Sequence, residues 1–195
     1  MDIIRILPNT FIPVFVAINV FMLIPIFISM TKEMSAKKRQ GVIRDSILTA
    51  MIVSLLFIAL GEAIFRILGI TKDDFKIAGG LVLLVFAVLD LIRGEERRRT
   101  DIKMGVVPIG VPLIVGPAVL TTVLVLVEHY GITPTIISII LNLFIVWILL
   151  INAERIIHLF GRGGIIGISK IMALLLASIA IMMIRLGIEN IIKNI

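Results

Sequence analysis

Residues 104–127 read MGVVPIGVPLIVGPAVLTTVLVLV, a stretch of 24 residues without a charged side chain. A helix needs about 20 apolar residues to cross the hydrocarbon core of a bilayer, so this stretch is long enough for one crossing. Pro108, Pro112 and Pro117 interrupt it, and an interior proline lacks the N–H that a helix requires. In lipid, the backbone groups freed in this way must bond to protein, water or a ligand. The stretch therefore predicts a membrane span that is broken.

The rest of the chain has the same membrane character. Of its 195 residues, 59% are hydrophobic and 16% are charged, whereas a soluble domain has about 25% charged residues. Five further apolar runs predict the other spans: residues 11–30, 46–65, 77–92, 134–153 and a region centred on residues 171–184. Six spans of about 20 residues leave no room for an appended soluble domain. We therefore predict an all-α membrane protein with a single transmembrane domain over residues 1–195.

The basic residues are distributed unevenly between the two sides of the membrane. Of the 19 lysines and arginines, 13 fall in or beside loops one, three and five, and 6 fall on the other side. The positive-inside rule then predicts a multi-pass protein of the cell membrane with both termini outside. No aromatic side chains interleave the basic runs at residues 37–39 and 97–99, as single-strand binders require. We expect the lipid bilayer as the partner of these charges, and no nucleic acid.

The two halves of the chain resemble each other. Residues 61–69 align with residues 153–161 at an offset of 92, and both stretches place a glutamate seven residues before a glycine. Lys76 aligns with Lys170 at an offset of 94. The alternative is a chance match in an Ile/Leu-rich chain.

A repeat of three spans enters the membrane from opposite sides in its two copies. We therefore predict an inverted repeat, with residues 1–97 as the first three-helix unit and residues 98–195 as the second, and with spans one and four broken. Inverted repeats with helices broken at matching positions are typical of secondary transporters, whose substrate sites lie near the membrane midplane.

The broken spans supply the candidate substrate site. A Gly-Pro step deep inside a span, followed by hydroxyl residues, suits a half-helix whose N–H groups and positive dipole end face a carboxylate. The alternative is a proline kink whose threonines bond to carbonyls one turn back. The candidate substrate-binding residues are Asn19, Pro25, Gly116, Pro117, Ala118, Thr121 and Thr122.

Other polar and small residues of the spans have structural interpretations. Asn142 is expected to form a hydrogen bond between helices, and Gly79-Gly80 a close helix contact. Lys76 and Lys170 are expected to snorkel to the membrane interface. The expected interfacial ion pairs are Glu62 with Arg66, Glu154 with Arg155, and Asp90 with Arg93.

Several stretches resemble the MarC family of integral membrane proteins: PLIVGPAVLTT at 112–122, FISMT at 27–31, IAGGL at 77–81 and LDL at 89–91. The resemblance covers nearly the whole chain and implies transport of small neutral amino acids such as glycine and alanine. The first half of the family usually carries Asn-Pro-x-Gly-x-x-Pro. Here Asn19 and Pro25 remain, and Val20 and Met22 stand in place of the proline and glycine. Whether the first span is broken after Asn19 is left open.

These observations favour a secondary transporter that moves small neutral amino acids by alternating access; a channel or a non-transporting scaffold is the alternative. An enzyme needs a nucleophile with a base, or a metal cluster. The chain has 2 histidines and 0 cysteines, and its sequence shows no His/Glu metal spacing. We therefore expect no catalytic residues, no metal and no cofactor. The coupling ion, a proton or sodium, and assembly into a homo-oligomer are left open.

Overall fold

The computed structural model describes residues 3–92 and 114–193, which form α-helices joined by short turns. The helices are α1 (Ile3–Ile18), α2 (Val20–Thr31), α3 (Ala36–Leu68), α4 (Lys72–Ile92), α5 (Pro117–Tyr130), α6 (Ile132–Ile151) and α7 (Ala153–Lys193). No strand occurs in these two ranges, so the described part of the chain is all-α as predicted.

Five segments are long and apolar enough to cross a membrane: Arg5–Thr31, Ala36–Gly61, Asp73–Ile92, Ile132–Ile151 and Gly163–Lys193. They correspond to the predicted spans one, two, three, five and six. The predicted fourth span, residues 104–127, begins outside the described residues and ends within α5, a shorter apolar helix.

The helices run further than the apolar stretches that predicted them. α3 begins at Ala36, well before the predicted start of the second span at Ser46. Lys37, Lys38 and Arg39 occupy its first turns, and such straight-chain residues are good helix formers. Their aliphatic stems can follow the apolar surface while the charged groups reach water, so an apolar run gives only the minimum length of a helix.

The first span is broken at Asn19, between α1 and α2. Asn19 has left-handed backbone angles, φ 47° and ψ 55°, and is the non-glycine residue with positive φ in the described ranges. Its N–H donates to the carbonyl of Phe15 at 3.3 Å, and its own carbonyl accepts from the N–H of Met22 at 2.9 Å. Asparagine tolerates this conformation because its short polar side chain bonds locally. Pro25 lies inside α2, so the asparagine, and not the proline, marks the break.

Two glycines end helical segments at equivalent places in the aligned halves. Gly69, which follows α3, has φ 67°, and Gly161, which kinks α7, has φ 68°. Most side chains disfavour this left-handed region, whereas glycine adopts it freely. The helical chain can therefore change direction at both points.

α4 and α7 share the most extensive helix contact of the described residues, and glycines allow their backbones to approach. A Cβ atom added at Gly80 would lie 2.8 Å from the carbonyl oxygen of Ala180, and one at Gly187 would lie 2.9 Å from that of Asp73. A Cβ at Gly79 would lie 2.3 Å from the Thr121 methyl carbon of α5. Small residues at membrane helix contacts work in this way, and the close contact predicted at Gly79-Gly80 is confirmed.

Polar side chains join α1 to α6. Asn142 is fully buried and donates from Nδ2 to the carbonyl of Phe11 at 3.2 Å and to that of Ser138 at 2.8 Å. The hydroxyls of Thr10 and Ser138 share a hydrogen bond of 2.5 Å. The predicted role of Asn142 between helices is confirmed.

Candidate functional site

Three buried polar side chains meet at the break in the first span. The Asn19 amide donates from Nδ2 to Asp90 Oδ2 at 3.4 Å, and its Oδ1 accepts from Ser169 Oγ at 3.2 Å. The exposed fractions are 6% for Asn19, 7% for Asp90 and 1% for Ser169. These residues come from the α1–α2 break, α4 and α7, and together we call them the Asn19 cluster.

Asp90 is buried, which corrects the expected surface position, while its expected pair with Arg93 stays a prediction. Leu83, Ala87 and Asp90 are all buried, because spacings of three and four residues place them on one face of α4. That face points into the bundle, so the carboxylate meets Asn19 rather than the interface. Arg93 lies outside the described residues.

The chemistry of the Asn19 cluster suits recognition of a polar group inside the membrane. Ionisable residues in membrane spans are costly, and they typically face the bundle interior or a water-filled pathway. A carboxylate, an amide and a hydroxyl together offer acceptors to an ammonium group or a small cation, and donors to a carboxylate.

The second predicted break contributes the start of α5. Gly116 is the N-cap residue with an extended backbone, φ −82° and ψ 178°, and Pro117 occupies the first helical position. Proline is favoured there because the first N–H groups of a helix have no partner within the helix. Pro117 is exposed, while Gly116 and Ala118 are half-buried.

The two threonines of α5 are buried but face different neighbours. The Thr121 methyl group lies against Gly79 of α4. Thr122 Oγ1 donates to the carbonyl of Ala118 at 2.8 Å, which is the local bond expected of a threonine in a kinked helix. The side-chain hydrogen bonds of Asn19 within the described residues run to α4 and α7.

α1, α4, α5 and α7 surround a cavity of about 220 Å³, which we call the Lys76 cavity. Thr122 is the predicted substrate-binding residue that lines it. The other polar lining residues are Asn9, Lys76, His129 and Tyr130. The apolar wall includes Val125, Leu126, Ile179, Met182, Met183 and Leu186. Drug-sized pockets measure about 300–1,000 Å³, so this cavity suits a smaller molecule.

Lys76 is held inside the bundle by two carboxylates. Its Nζ lies 3.0 Å from Asp73 Oδ1 and 3.1 Å from Glu128 Oε1. Asn190 of α7 donates from Nδ2 to the same Asp73 oxygen at 3.0 Å. Lys76 is only 7% exposed and lies in the second turn of α4, near one end of the bundle. Its expected reach to the membrane interface stays a prediction. Lys170, its aligned partner, is exposed.

The sequence does not predict the Lys76 cavity because its lining residues come from four separate helices. Glu128 belongs to no motif in the sequence, and Lys76 lies next to the start of a predicted span. The signal available was the position of Lys76 about one turn after Asp73, immediately before the predicted span at residues 77–92.

A second ion pair lies at the opposite end of the bundle. Arg39 of α3 donates to Glu154 at the start of α7 and, from Nη2, to the carbonyl of Thr31 at 3.4 Å. The bond from Arg39 holds the pKa of Glu154 below its ordinary range. The expected partner Arg155 is therefore wrong for Glu154, because α3 brings Arg39 to the start of α7. The side chains of Glu62 and Arg66 lie outside those described.

Known proteins with similar sequences share the membrane character found here. Residues 4–192 match the MarC family, described as MarC family integral membrane proteins. The UPF0056 membrane protein MJ1677 of Methanocaldococcus jannaschii is 32% identical, over 92% of this chain and 94% of that protein. The UPF0056 membrane protein PYRAB13050 of Pyrococcus abyssi is 30% identical, over 97% of this chain and 98% of that protein.

A more distant relative, the UPF0056 inner membrane protein YhgN of Escherichia coli, is 26% identical over 88% of this chain and 90% of that protein. No solved structure matches the chain. The family match extends through every described helix, including both ends of the broken first span. With several apolar helices long enough to cross a bilayer, the chain belongs to the MarC family of integral membrane proteins.

Proposed function

We propose that the protein is a secondary transporter that moves small neutral amino acids by alternating access. The observation that carries the proposal is the left-handed Asn19 in the first span, whose amide contacts a buried carboxylate and a buried hydroxyl. Irregular backbone at membrane depth is tolerated where it is buried in protein or lines a cavity, and broken helices form substrate sites in many transporters.

In this proposal, the substrate binds near the two helix breaks. The residues proposed to contact it are Asn19, Pro25, Gly116, Pro117, Ala118, Thr121 and Thr122. The Asn19 cluster would bind the ammonium group, because it contains a carboxylate. The N-terminus of α5 would face the carboxylate, because its free N–H groups carry partial positive charge.

The proposed architecture is a pair of inverted halves, residues 1–97 and 98–195, that rock against each other. The matching positive φ angles of Gly69 and Gly161 support it. We also propose six crossings, from the six apolar runs, with both termini outside, from the distribution of basic residues. The name of the relative YhgN, an inner membrane protein, supports a cell-membrane location. A proton or sodium gradient would drive transport, and a homo-oligomer is compatible with this arrangement. We propose transport without any enzymatic reaction.

Uptake of labelled alanine and glycine into proteoliposomes tests the proposal. We expect saturable uptake that responds to a proton or sodium gradient and is lost in Asn19→Ala. Asn152→Ala is the matched control, because the Asn152 amide bonds locally, to the carbonyl of Ile148 one turn earlier at 2.8 Å.

Two outcomes would contradict transport by alternating access. Flux that does not saturate, with both faces of the protein accessible at once, would indicate a channel. No flux of any small amino acid through well-folded protein would indicate a scaffold.

A further inference from the structure

We propose that two ion pairs are the gates of the protein: Lys76–Glu128 closes one end of the bundle, and Arg39–Glu154 closes the other. Each pair opens only while the other is closed. The proposal rests on the proposed rocking of the two halves of the chain, and it assigns the residues that hold each end shut. Water access to each end can be measured without transport.

The first argument is that both ion pairs join the first proposed half of the chain to the second. Nζ of Lys76, on α4, lies 3.1 Å from Oε1 of Glu128, on α5. Arg39 of α3 donates to Glu154 of α7. When two rigid halves rock about their centre, they separate at one end and approach at the other. The motion therefore breaks one pair while it keeps the other.

The second argument is that the two pairs lie towards opposite surfaces of the membrane. Glu154 lies in the first turn of α7, before the apolar span Gly163–Lys193. Asn190 lies near the end of that span and donates to Asp73 at 3.0 Å, which in turn holds Lys76. A span of this length crosses the hydrocarbon core. We call the two ends of the bundle the Lys76 end and the Arg39 end.

The third argument is that the Lys76–Glu128 bond can open without leaving a buried charge alone. Asp73 also holds Nζ of Lys76, at 3.0 Å, so the lysine keeps a partner. Glu128 lies in the last turn of α5, where separation of the helices brings water to its carboxylate. A buried charge that loses its partner is costly, whereas a hydrated carboxylate needs none. The bond is therefore suited to break and form again.

The contact between α4 and α5 beside this pair is also able to part. About one turn further along α4, Gly79 meets the methyl group of Thr121 on α5. Glycine has no side chain that must withdraw when the helices separate. Lys76 and Thr122 both line the Lys76 cavity, so separation of α4 from α5 widens that cavity. Opening then gives water and substrate access to Thr121 and Thr122, two residues proposed to contact the substrate.

Arg39 closes the other end across three helices. Besides its bond to Glu154 of α7, it donates from Nη2 to the carbonyl of Thr31 at 3.4 Å. Thr31 is the last residue of α2, the second part of the broken first span. Release of Glu154 therefore separates the start of α7 from both α2 and α3.

Cysteine labelling of the full chain in lipid nanodiscs tests the two gates. The chain has no cysteine, so Leu126→Cys, at the Lys76 cavity, and Thr31→Cys, at the Arg39 end, can each serve as a single reporter. Leu126 is 5% exposed and Thr31 is 0% exposed. The rate of reaction with a water-soluble maleimide therefore measures how often water reaches each end.

Two substitutions remove one gate each and keep the shape of the side chain. We expect Glu128→Gln to speed labelling of Leu126→Cys at least about fivefold and to slow labelling of Thr31→Cys, because it shifts the population towards the state that is open at the Lys76 end. Glu154→Gln is expected to have the opposite effect on both reporters.

Glu189→Gln is the matched control, since Glu189 pairs with Arg185 on the same helix and its side chain is 44% exposed. It should leave both labelling rates unchanged. Unchanged rates in Glu128→Gln and Glu154→Gln would overturn the proposal. Faster labelling at the substituted end alone, with no slowing at the other, would also overturn it. If Glu128→Gln does not yield monodisperse protein, Glu128→Asp decides the question, because it keeps the charge and shortens the reach to Lys76.

The failure of this proposal can be told apart from the failure of the transport proposal. Saturable alanine uptake, with labelling rates that neither substitution changes, keeps the transporter and overturns the two gates. Opposite changes at the two reporters, with no uptake of any small amino acid, support the gates and contradict amino-acid transport.

Discussion

Asn19 combines a backbone role and a side-chain role at a single position. Its positive φ separates α1 from α2, and its amide connects α4 and α7 through Asp90 and Ser169. The sequence predicted both a broken first span and a ligand role for Asn19, but left the position of the break open. The two partners were not predicted, because contacts separated by 71 and 150 residues leave no local pattern.

Substitutions at Asn19 separate these two roles. Asn19→Gly keeps the left-handed backbone and removes the amide, whereas Asn19→Ala removes the amide and strains the backbone. Because a left-handed conformation costs most residues about 1–2 kcal/mol, we expect Asn19→Ala to be less stable than Asn19→Gly by about 1 kcal/mol. Thermal unfolding in detergent measures the difference. Equal stabilities would contradict a left-handed backbone at this residue.

The Arg39–Glu154 pair makes a pH-dependent contribution to stability. The bond from Arg39 lowers the pKa of Glu154 from its ordinary value of 4.5. A carboxylate whose pKa is lower in the folded state stabilises the fold above its unfolded pKa, and this contribution is lost as the pH falls through the folded pKa. The effect is small because the side chain of Glu154 is 62% exposed.

We therefore expect the wild type to lose slightly more thermal stability than Glu154→Gln between about pH 6 and about pH 3. Unfolding temperatures measured in detergent across this range check the prediction. Parallel pH profiles for the two proteins would show that the pair contributes nothing in solution.

At the scale of helices, apolar runs and glycines were the informative parts of the sequence. Five predicted spans have counterparts, and Gly79-Gly80 correctly indicated close packing. Helix ends were less predictable, since α3 continues through charged residues that an apolar run does not count. The burial of Lys76 was not predicted either, because it depends on Glu128 from another helix.

The α4–α7 contact predicts a difference between two glycine substitutions. In Gly80→Ala, the added Cβ would lie 2.8 Å from the Ala180 carbonyl oxygen, and overpacking of this kind typically costs about 1–3 kcal/mol. In Gly167→Ala, the new Cβ meets nothing within 4 Å, and the better helix propensity of alanine should stabilise by up to about 1 kcal/mol. Thermal unfolding of both variants in one detergent tests this, and a Gly80→Ala protein as stable as Gly167→Ala would contradict the close contact.

For the whole molecule, ion pairs lie at both ends of the bundle. Lys76 and Glu128 join α4 to α5 at one end, and Arg39 and Glu154 join α3 to α7 at the other. From the distribution of basic residues, the sequence predicts which loops share a side of the membrane. The sequence did not indicate that Lys76 pairs with Glu128 or Arg39 with Glu154, because the packing of the helices decides which charged residues meet.

A cross-link between positions 39 and 154 tests whether α3 and α7 separate at this end of the bundle during transport. The chain has no cysteine, so Arg39→Cys and Glu154→Cys can be introduced without background and joined with a short thiol-reactive cross-linker. If transport requires the helices to separate there, uptake of labelled alanine should fall by at least about tenfold. Cleavage of the linker should restore it, and the single-cysteine proteins serve as controls. Full uptake by the cross-linked protein would show that this end stays closed during transport.

The left-handed backbone at Asn19 also limits how this position can change during evolution. Only glycine, asparagine and aspartate adopt such angles routinely, and of these only asparagine offers both a donor to Asp90 and an acceptor to Ser169. Family members that lose the asparagine while keeping the break are therefore expected to carry glycine or aspartate there. Where aspartate appears, the residue aligned with Asp90 should change as well, because two adjacent buried carboxylates repel each other.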